Sequence, residues 1–516
     1  MNSNNKYDQI ELFIDCKDFK GSDDINMQIR VHELKQDDWL ELGRTEALKQ
    51  LNPSFLRAVS VNFVFETIQP LLFEIWNITE PNRETLISKI SATVGQIIGA
   101  RKQTFEADIY GKDDNTLGKL VVYAEKSEKS NNIITWKWSA VKVLNTDGLF
   151  GKSDPFLRFF RRRHGGYWIQ VHETEFIKDT LNPVWEEFSI TDGKICGSIY
   201  DPNPIKIECW DNSKTGKHNY IGTCEIQLKD LQEGKEFPLQ NPKEKKPGVL
   251  KLLSFSTTDT PKFSDFLRGG EQLNFSIAID FTSSNGNPNL PTSLHSRKPN
   301  FMNEYESAIS AVGQIILNYD SDQLVPMFGF GGNPNFKNLK KSDVSHCFPC
   351  NGSEENPQTM GMKGIMDTYN FALENVILSG PTYFQPIINE AVKASRKNKE
   401  SHADIYTVLL ILTDGEIHDM KETINTLVKS GDLPLSIIIV GVGKADFKKM
   451  EILDGDKGLQ NEKGEKVARD FVQFVPFRQH QNNMTLLAEH VLAEIPEQLV
   501  KYKAMVGKKP KAAPKS

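Results

Sequence analysis

Two stretches of this sequence occur twice, and the repeat limits what its first half can be. Leu51-Asn-Pro53 returns as Leu181-Asn-Pro183, 181 minus 51 or 130 residues on. Pro70-Leu-Leu-Phe-Glu-Ile-Trp76 returns as Pro204-Ile-Lys-Ile-Glu-Cys-Trp210, 204 minus 70 or 134 residues on. Around these markers lie short alternating apolar runs, such as Gln9 to Asp15, Ala58 to Phe65 and Leu71 to Trp76, separated by Asn, Asp, Gly and Pro. Period-two alternation between turn formers is the mark of half-buried strands. The first half is therefore predicted to be all-β, as two similar sandwiches in tandem.

From about Phe263 the pattern changes to alternating helices and strands. The spacing predicts a buried strand ending at Asp280, in which Phe275, Ile277 and Ile279 alternate with small residues. It predicts helices over Glu304 to Leu317 and Tyr383 to Lys397, and strands over Leu324 to Phe330, Tyr406 to Leu412, Leu435 to Val442 and Asp470 to Phe477. A helix from Thr485 to Tyr502 closes the series. Such alternation makes a parallel, doubly wound α/β sheet, whose ligands gather beyond the carboxyl ends of the strands. That is where this sequence collects oxygens. Asp280, Thr282 and Ser284 stand two residues apart after the first strand, Thr382 precedes a helix, and Asp414 follows a second strand within Thr413-Asp-Gly415. Carboxylates and hydroxyls together suit a hard cation, magnesium or manganese, better than a soft one.

Length and composition bound the rest. At 516 residues the chain is long enough for three or four domains. A net charge of -6 is small for that length and gives no case for nucleic acid as a partner. Six scattered cysteines make no disulfide framework and point to a reducing cytosol; Cys347-Phe-Pro-Cys350 reads as two free thiols in a loop. The polar start Met1-Asn-Ser-Asn-Asn-Lys6 has no apolar signal core, and the longest apolar runs fall far short of the ~20 residues that span a bilayer. Any membrane contact is expected to be peripheral. The divisions are residues 1–126 and 127–258 for the sandwiches, 259–503 for the α/β domain and 504–516 for a basic disordered tail.

The Asp-x-Thr-x-Ser run, a distant Thr and a Thr-Asp-Gly together resemble the metal-ion-dependent adhesion site of von Willebrand factor A domains. That resemblance gives metal-ligand roles to Asp280, Thr282, Ser284, Thr382 and Asp414. The second sandwich, through Asp147-Gly-Leu-Phe-Gly-Lys-Ser-Asp-Pro-Phe156, Leu181-Asn-Pro-Val-Trp185 and Trp210-Asp211, resembles a C2 domain. The C2 family holds calcium between loops at one end of an eight-stranded sandwich. Carried over, its ligands here are Asp147, Asp154, Asp211, Ser213 and Asn219, the last two replacing Asp. Shifting these positions back by 131 puts Asp154 on Asp23 and Asp147 on Cys16; by 134, Asp211 falls on Asn77. The first sandwich is thus read as one that kept its scaffold and lost calcium, with Asp23 its remaining candidate.

Two C2-type sandwiches followed by an A-like domain resemble the copine family, supported by Thr292-Ser-Leu-His295, Ser436 to Gly443, Phe471 to Phe477 and Val491 to Leu499. The resemblance implies a cytoplasmic, calcium-dependent phospholipid-binding adaptor that moves to the plasma membrane or endomembranes when calcium rises, in trafficking or calcium signalling. It implies acidic-motif protein partners for the A-like domain. Phe150 at a loop tip and the basic run Arg158, Arg161, Arg162 and Arg163 are candidates for contact with anionic lipid; that run could equally read RNA phosphates or be a solvated strand edge. No nucleotide loop, nucleophile elbow or zinc-protease helix is present, so the chain is read as a non-enzyme. The alternatives are a metal-dependent hydrolase and a calcium-independent scaffold.

Overall fold

Alternating burial sets the strands of the first half. Met27–Lys35 and Ile205–Asp211 each bury every second side chain, so each sheet has one face for a core. The computed structural model describes residues 8–511 except 22–24, 81–82, 101–103, 112, 114, 127–131, 149–150, 163–167, 197–198, 200–203, 214–217, 259–260, 299–300, 340–342, 456–457 and 481–482. Asp23, Phe150 and Arg163 lie outside the described residues. Each sandwich pairs two antiparallel four-stranded sheets. In the first, Asp8–Lys17 and Thr116–Lys126 are the inner strands of one sheet, and Met27–Lys35 and Pro70–Glu80 those of the other. In the second, the same places are taken by Ile133–Val141 with Val249–Thr257, and Pro155–Arg162 with Ile205–Asp211.

The duplication holds down to single bonds. Trp76 and Trp210 each donate from the indole to a glutamate two residues back, Glu74 and Glu208, at 3.1 Å. Each ring also carries a guanidinium, Arg30 at 4.7 Å and Arg158 at 5.3 Å from the centroid. The amides of Ile29 and Leu157 donate to Thr45 and Thr174 at 2.9 Å. Cys16 and Ala140 donate to Pro53 and Pro183. The offset is therefore 140 minus 16, or 124, before the first loop, and 157 minus 29, or 128, after it. The first copy's loop is four residues shorter, which no single shift can carry.

In the third unit the strands Leu324–Phe330, Gln272–Asp280, Ile405–Thr413, Leu435–Gly441 and Val472–Pro476 lie side by side and parallel, with Gln272–Asp280 inside. Phe275, Ile277 and Ile279 pack against the helix Glu304–Ile316, while Ala278 faces the helix Gln385–Glu400. The closing helix is two helices, Met484–Leu492 and Ile495–Met505. Pro496 stands in the first turn of the second, where a missing N–H breaks no intrahelical bond, and it cannot continue the first. Residues 504–511, expected in a disordered tail, lie against this domain instead: Val506 packs on its core and Lys511 pairs with Asp404.

One hydrophobic cluster runs from the first sandwich into the α/β domain. Phe65 meets Phe263 and Tyr319 at 4.7 and 4.9 Å between ring centroids. The short helix Val94–Ile98 packs there too, and Asp8 pairs with Lys262 at 2.5 Å. The second sandwich has its own core, built on Trp136, Trp138, Phe159 and Trp185. It meets the first through Arg161, which corrects the lipid-binding reading of that residue. Arg161 is 1% exposed, donates to the carbonyl of Gly193 at 2.6 Å and pairs with Glu125 of the first sandwich at 2.5 Å. Its neighbours on the strand point the other way by the period-two rule, and Arg162 is exposed. Arg158 is held by Glu173 at 2.7 Å and by Trp210.

Arg161→Gln should cost about 1.5–3 kcal/mol of stability, the range for hydrogen bonds to charged groups. Denaturant unfolding of the whole chain checks this, and an unchanged midpoint would return Arg161 to the surface.

Candidate functional sites

At one end of the second sandwich the loops after Val141 and Asp211 bring carboxylates together. Asp211, 1% exposed, accepts from the backbone N–H of Asp154 at 2.6 Å on one oxygen and from the hydroxyl of Thr146 on the other. Asn219 offers its amide to the second oxygen at 3.4 Å. Asp154 in turn accepts from the N–H of Asp179 at 2.7 Å, which brings a fourth carboxylate to the cluster that sequence reasoning missed. Loss of water, then the negative charges of Asp211 and Asp154, push the Asp147 carboxyl above the usual range. Ser213 donates its N–H to His218 at 3.2 Å, beside this group. Hard oxygens around mutually repelling carboxylates are the donor set calcium takes.

The first sandwich makes the same backbone bond with neutral residues. The N–H of Asn26 donates to the side-chain oxygen of Asn77 at 2.9 Å, as Asp154 does to Asp211. Ile78 donates to the carbonyl of Asn26 as Asn212 does to that of Asp154. Asn26, not Asp23, therefore takes the place of Asp154, because the offset at this strand is 154 minus 26, or 128, and not 131. Two central carboxylates have become amides, while Asp15, 7% exposed, is tied to Ser54 at 2.8 Å.

The second site is at the carboxyl end of Gln272–Asp280. Asp280 is fully buried, and one oxygen accepts from the N–H and hydroxyl of Thr282 at 2.9 and 2.6 Å. The other accepts from Thr413 at 2.7 Å. The Ser284 hydroxyl lies 2.9 Å from that of Thr282 and bonds Asp414. Oδ1 of Asp414 is buried with no partner among the described residues. Burial, then the charge of Asp414, raises Asp280 to about 7. Thr382 is 2% exposed, and its loop is fastened to the others: Ser283 donates to the carbonyl of Ser379 at 2.7 Å, and His418 to that of Thr382 at 3.0 Å. Among the described residues no group of three or more His, Cys, Asp or Glu side chains is arranged to hold a metal ion, at this loop or at the sandwich end, so a cation at either place would have to draw on hydroxyl, amide and backbone oxygens as well.

A buried frame holds this loop. The Asp280 carbonyl can only accept, so His295 carries its proton on Nε2, donating at 2.9 Å, and accepts on Nδ1 from the Tyr369 hydroxyl at 2.8 Å. Burial pushes His295 down to about 4, which keeps it neutral. Its ring lies between Phe281 and Tyr305, 5.7 and 4.2 Å away. Tyr305 donates to Asn285 at 2.7 Å, and Asn285 donates to the carbonyl of Thr282 at 3.2 Å. Gly331 has a φ of +73°, and a Cβ there would come within 2.3 Å of the Thr282 methyl.

Two family models match separate parts of the chain. The Copine family model matches residues 293–511, and the C2 domain model matches residues 131–242. A solved structure described as BON1-C2B is 30% identical over 25% of this chain and 92% of that one, with a TM-score of 0.22. A C2 domain of a plant Extended Synaptotagmin 1 is 20% identical over 25% of this chain and 96% of that one, TM-score 0.20. The manganese-loaded TRAP protein of Plasmodium vivax is 13% identical over 40% of this chain and 70% of that one, TM-score 0.26.

The raised carboxyl makes a pH prediction. Asp280 has a folded value of about 7 against 3.8 for an unperturbed carboxyl, so between those values the folded state binds the extra proton. Its contribution is present at low pH and is lost as pH rises through the folded value. In chelator, the melting temperature should fall between about pH 5.5 and about pH 7.5, and Asp280→Asn should remove most of the fall. Equal pH dependence in both proteins would show that Asp280 is ionised throughout.

Proposed function

The chain belongs to the copine family, and on that premise we propose that it is a calcium-dependent adaptor that docks on anionic phospholipid through its second sandwich and captures protein partners through its A-like domain. The observation that carries the proposal is the convergence of Asp147, Asp154 and Asp211 at an open sandwich end, with Asp147 displaced upward by its neighbours. Ser213 and Asn219 add neutral oxygens there. Three to four carboxylates, of which Asp147 is exposed, make the kind of cage that takes calcium with ligand positions left for other oxygens. Bound there, calcium would supply the positive charge that meets lipid phosphate. Asp211 orders the first loop by holding the Asp154 amide, and Asp154 orders the second by holding that of Asp179.

Asp280, Thr282, Ser284, Thr382 and Asp414 would hold magnesium or manganese. The fit rests on the unpartnered Asp414 oxygen and on a donor set of carboxylates and hydroxyls. Such a cation would have room to accept an acidic side chain from a partner. The frame of His295, Tyr369 and Asn285 keeps the loop shape fixed, so that binding need not order it. Among the described residues no helix is long and apolar enough to cross a membrane, consistent with docking at a surface. Arg162 remains an exposed candidate for lipid contact.

Sedimentation with phosphatidylserine vesicles tests the first half. Asp154→Asn and Asp211→Asn should each raise the calcium needed for binding by about tenfold or more, since each removes a charged ligand. Asn26→Ala should leave it unchanged. Loss of binding in Asn26→Ala equal to that in Asp154→Asn would place the working site in the first sandwich. Asp280→Ala should abolish magnesium or manganese binding, read by calorimetry, with vesicle binding unaffected; retained metal binding would remove Asp280 from the site.

A further inference from the structure

At the amino-terminal edge of the parallel sheet, opposite Asp280, the ends of three helices surround a cavity of about 600 Å³. Lys399 comes from the last turn of Gln385–Glu400 and Arg396 from just before it, Lys429 caps Met420–Val428, and Lys508 follows Ile495–Met505. Four cations face two carboxylates, Glu400 and Asp432, in a chain whose net charge is -6. Lys399 is committed: it bonds the side chain of Asp432 at 2.6 Å and its carbonyl at 2.9 Å. Among the described residues Arg396, Lys429 and Lys508 have no carboxylate within ion-pair distance, and the first two are exposed.

Basic residues commonly serve the negative ends of helices, and that role is largely filled here by the backbone. Ser401 donates to the carbonyls of Lys397 and Lys399, Lys429 to those of Asn425 and Leu427, and Lys508 to that of Lys503. Buried Arg469 takes the carbonyls of Leu433 and Leu435. Three cations are thus left around a concave site with an apolar floor that includes Leu433 and Tyr502. The size falls within the range of about 300–1,000 Å³ usual for small-ligand sites. Lys508 also lines a neighbouring cavity, whose Lys503 and Lys511 are paired with Glu271 and Asp404.

We propose that this cavity binds a compact ligand carrying several phosphomonoesters, of the inositol polyphosphate type, either free or as the headgroup of a phosphoinositide. Arg396, Lys429 and Lys508 would each meet a phosphate by charge-assisted hydrogen bonds, and the ring would lie over the apolar floor. The site lies at the far end of the A-like domain from the metal-candidate loop and uses none of its residues.

The test uses the full chain in chelator, so that neither candidate cation site contributes. Calorimetry with inositol hexakisphosphate is run beside sedimentation with phosphatidylcholine vesicles carrying phosphatidylinositol 4,5-bisphosphate. Wild type is compared with the triple variant Arg396→Gln, Lys429→Gln, Lys508→Gln and with a control of equal charge loss, Lys363→Gln, Lys421→Gln, Lys448→Gln. The first triple should weaken binding by about tenfold or more, and the control should change it little. Binding of both probes would assign the lipid headgroup as source, and of the soluble probe alone the free ligand. No binding by wild type, or equal loss in both triples when thermal melts show all three proteins folded, would overturn the proposal.

Discussion

A carboxylate taken out of water must be met by hydrogen-bond donors or by a cation, and both candidate sites of this chain are built around one that is. Asp280 and Asp211 are each almost wholly buried at the carboxyl end of an inner strand. Each is satisfied by donors from the loops around it: Thr282 and Thr413 for one, the Asp154 amide and Thr146 for the other. Those donors shape the loops. They also bring up a second carboxylate that they do not neutralise, Asp414 in one case and Asp147 in the other. Both sites therefore have a fixed frame and an unmet negative charge.

The first sandwich shows what remains when the charge is removed. Asn26 and Asn77 keep the bond that fixes the first loop to the third, with no repulsion to relieve. Its opposite end is where the domain does most of its packing, since Phe63, Phe65 and Ile97 share one core with Tyr319 and Phe263. Arg161 meets Glu125 at that end as well. In each unit, contact with a neighbour is made at the end away from the candidate loops. In the second sandwich, Arg161 is at the other end of its strand from Pro155, the partner of Asp211. In the α/β domain, Tyr319 bonds Leu273 near the start of the strand that ends at Asp280. The calcium-candidate loops and the metal-candidate loop are thereby left facing outward.

The fold was legible because its signals are local. Alternation identified the sandwiches, the change of period identified the parallel sheet, and the oxygens of Asp280, Thr282 and Ser284 marked a strand end. What sequence reading missed depends on contacts between distant segments. Asp23 follows from an offset of 131, but the bonds set the offset at this strand to 128, which moves that place to Asn26. Arg161 looks like part of a basic patch, and only Glu125, on a strand of the first sandwich, and Gly193, in the short helix Asp192–Ile195, account for its burial. His295 lies in a stretch singled out by resemblance, but its role needs Tyr369, on a helix that periodicity did not identify. Asp179 enters the cluster through its backbone N–H, which no side-chain pattern reveals.

The two candidate cages differ in a way that would separate their cations. Calcium tolerates irregular shells of six to eight oxygens, whereas magnesium demands a small, near-octahedral one and keeps several waters. In the second sandwich Asp211 and Asp154 hold the loops together, but Asp147 is exposed, so the cage can widen on that side. At Asp280 the loop is closed by the His295 and Asn285 bonds, by Gly331 against Thr282 and by the bridge to Ser379. Gly415, at a φ of +112° and with Phe447 2.5 Å from where its Cβ would be, fixes the turn after Asp414. Two carboxylates with hydroxyls in a closed loop suit the smaller ion, and three or four carboxylates with one of them exposed suit the larger. Discrimination between the two cations would then come from the number of carboxylates and from how open each site is to a wider shell, with the ligand atoms nearly all oxygen in both.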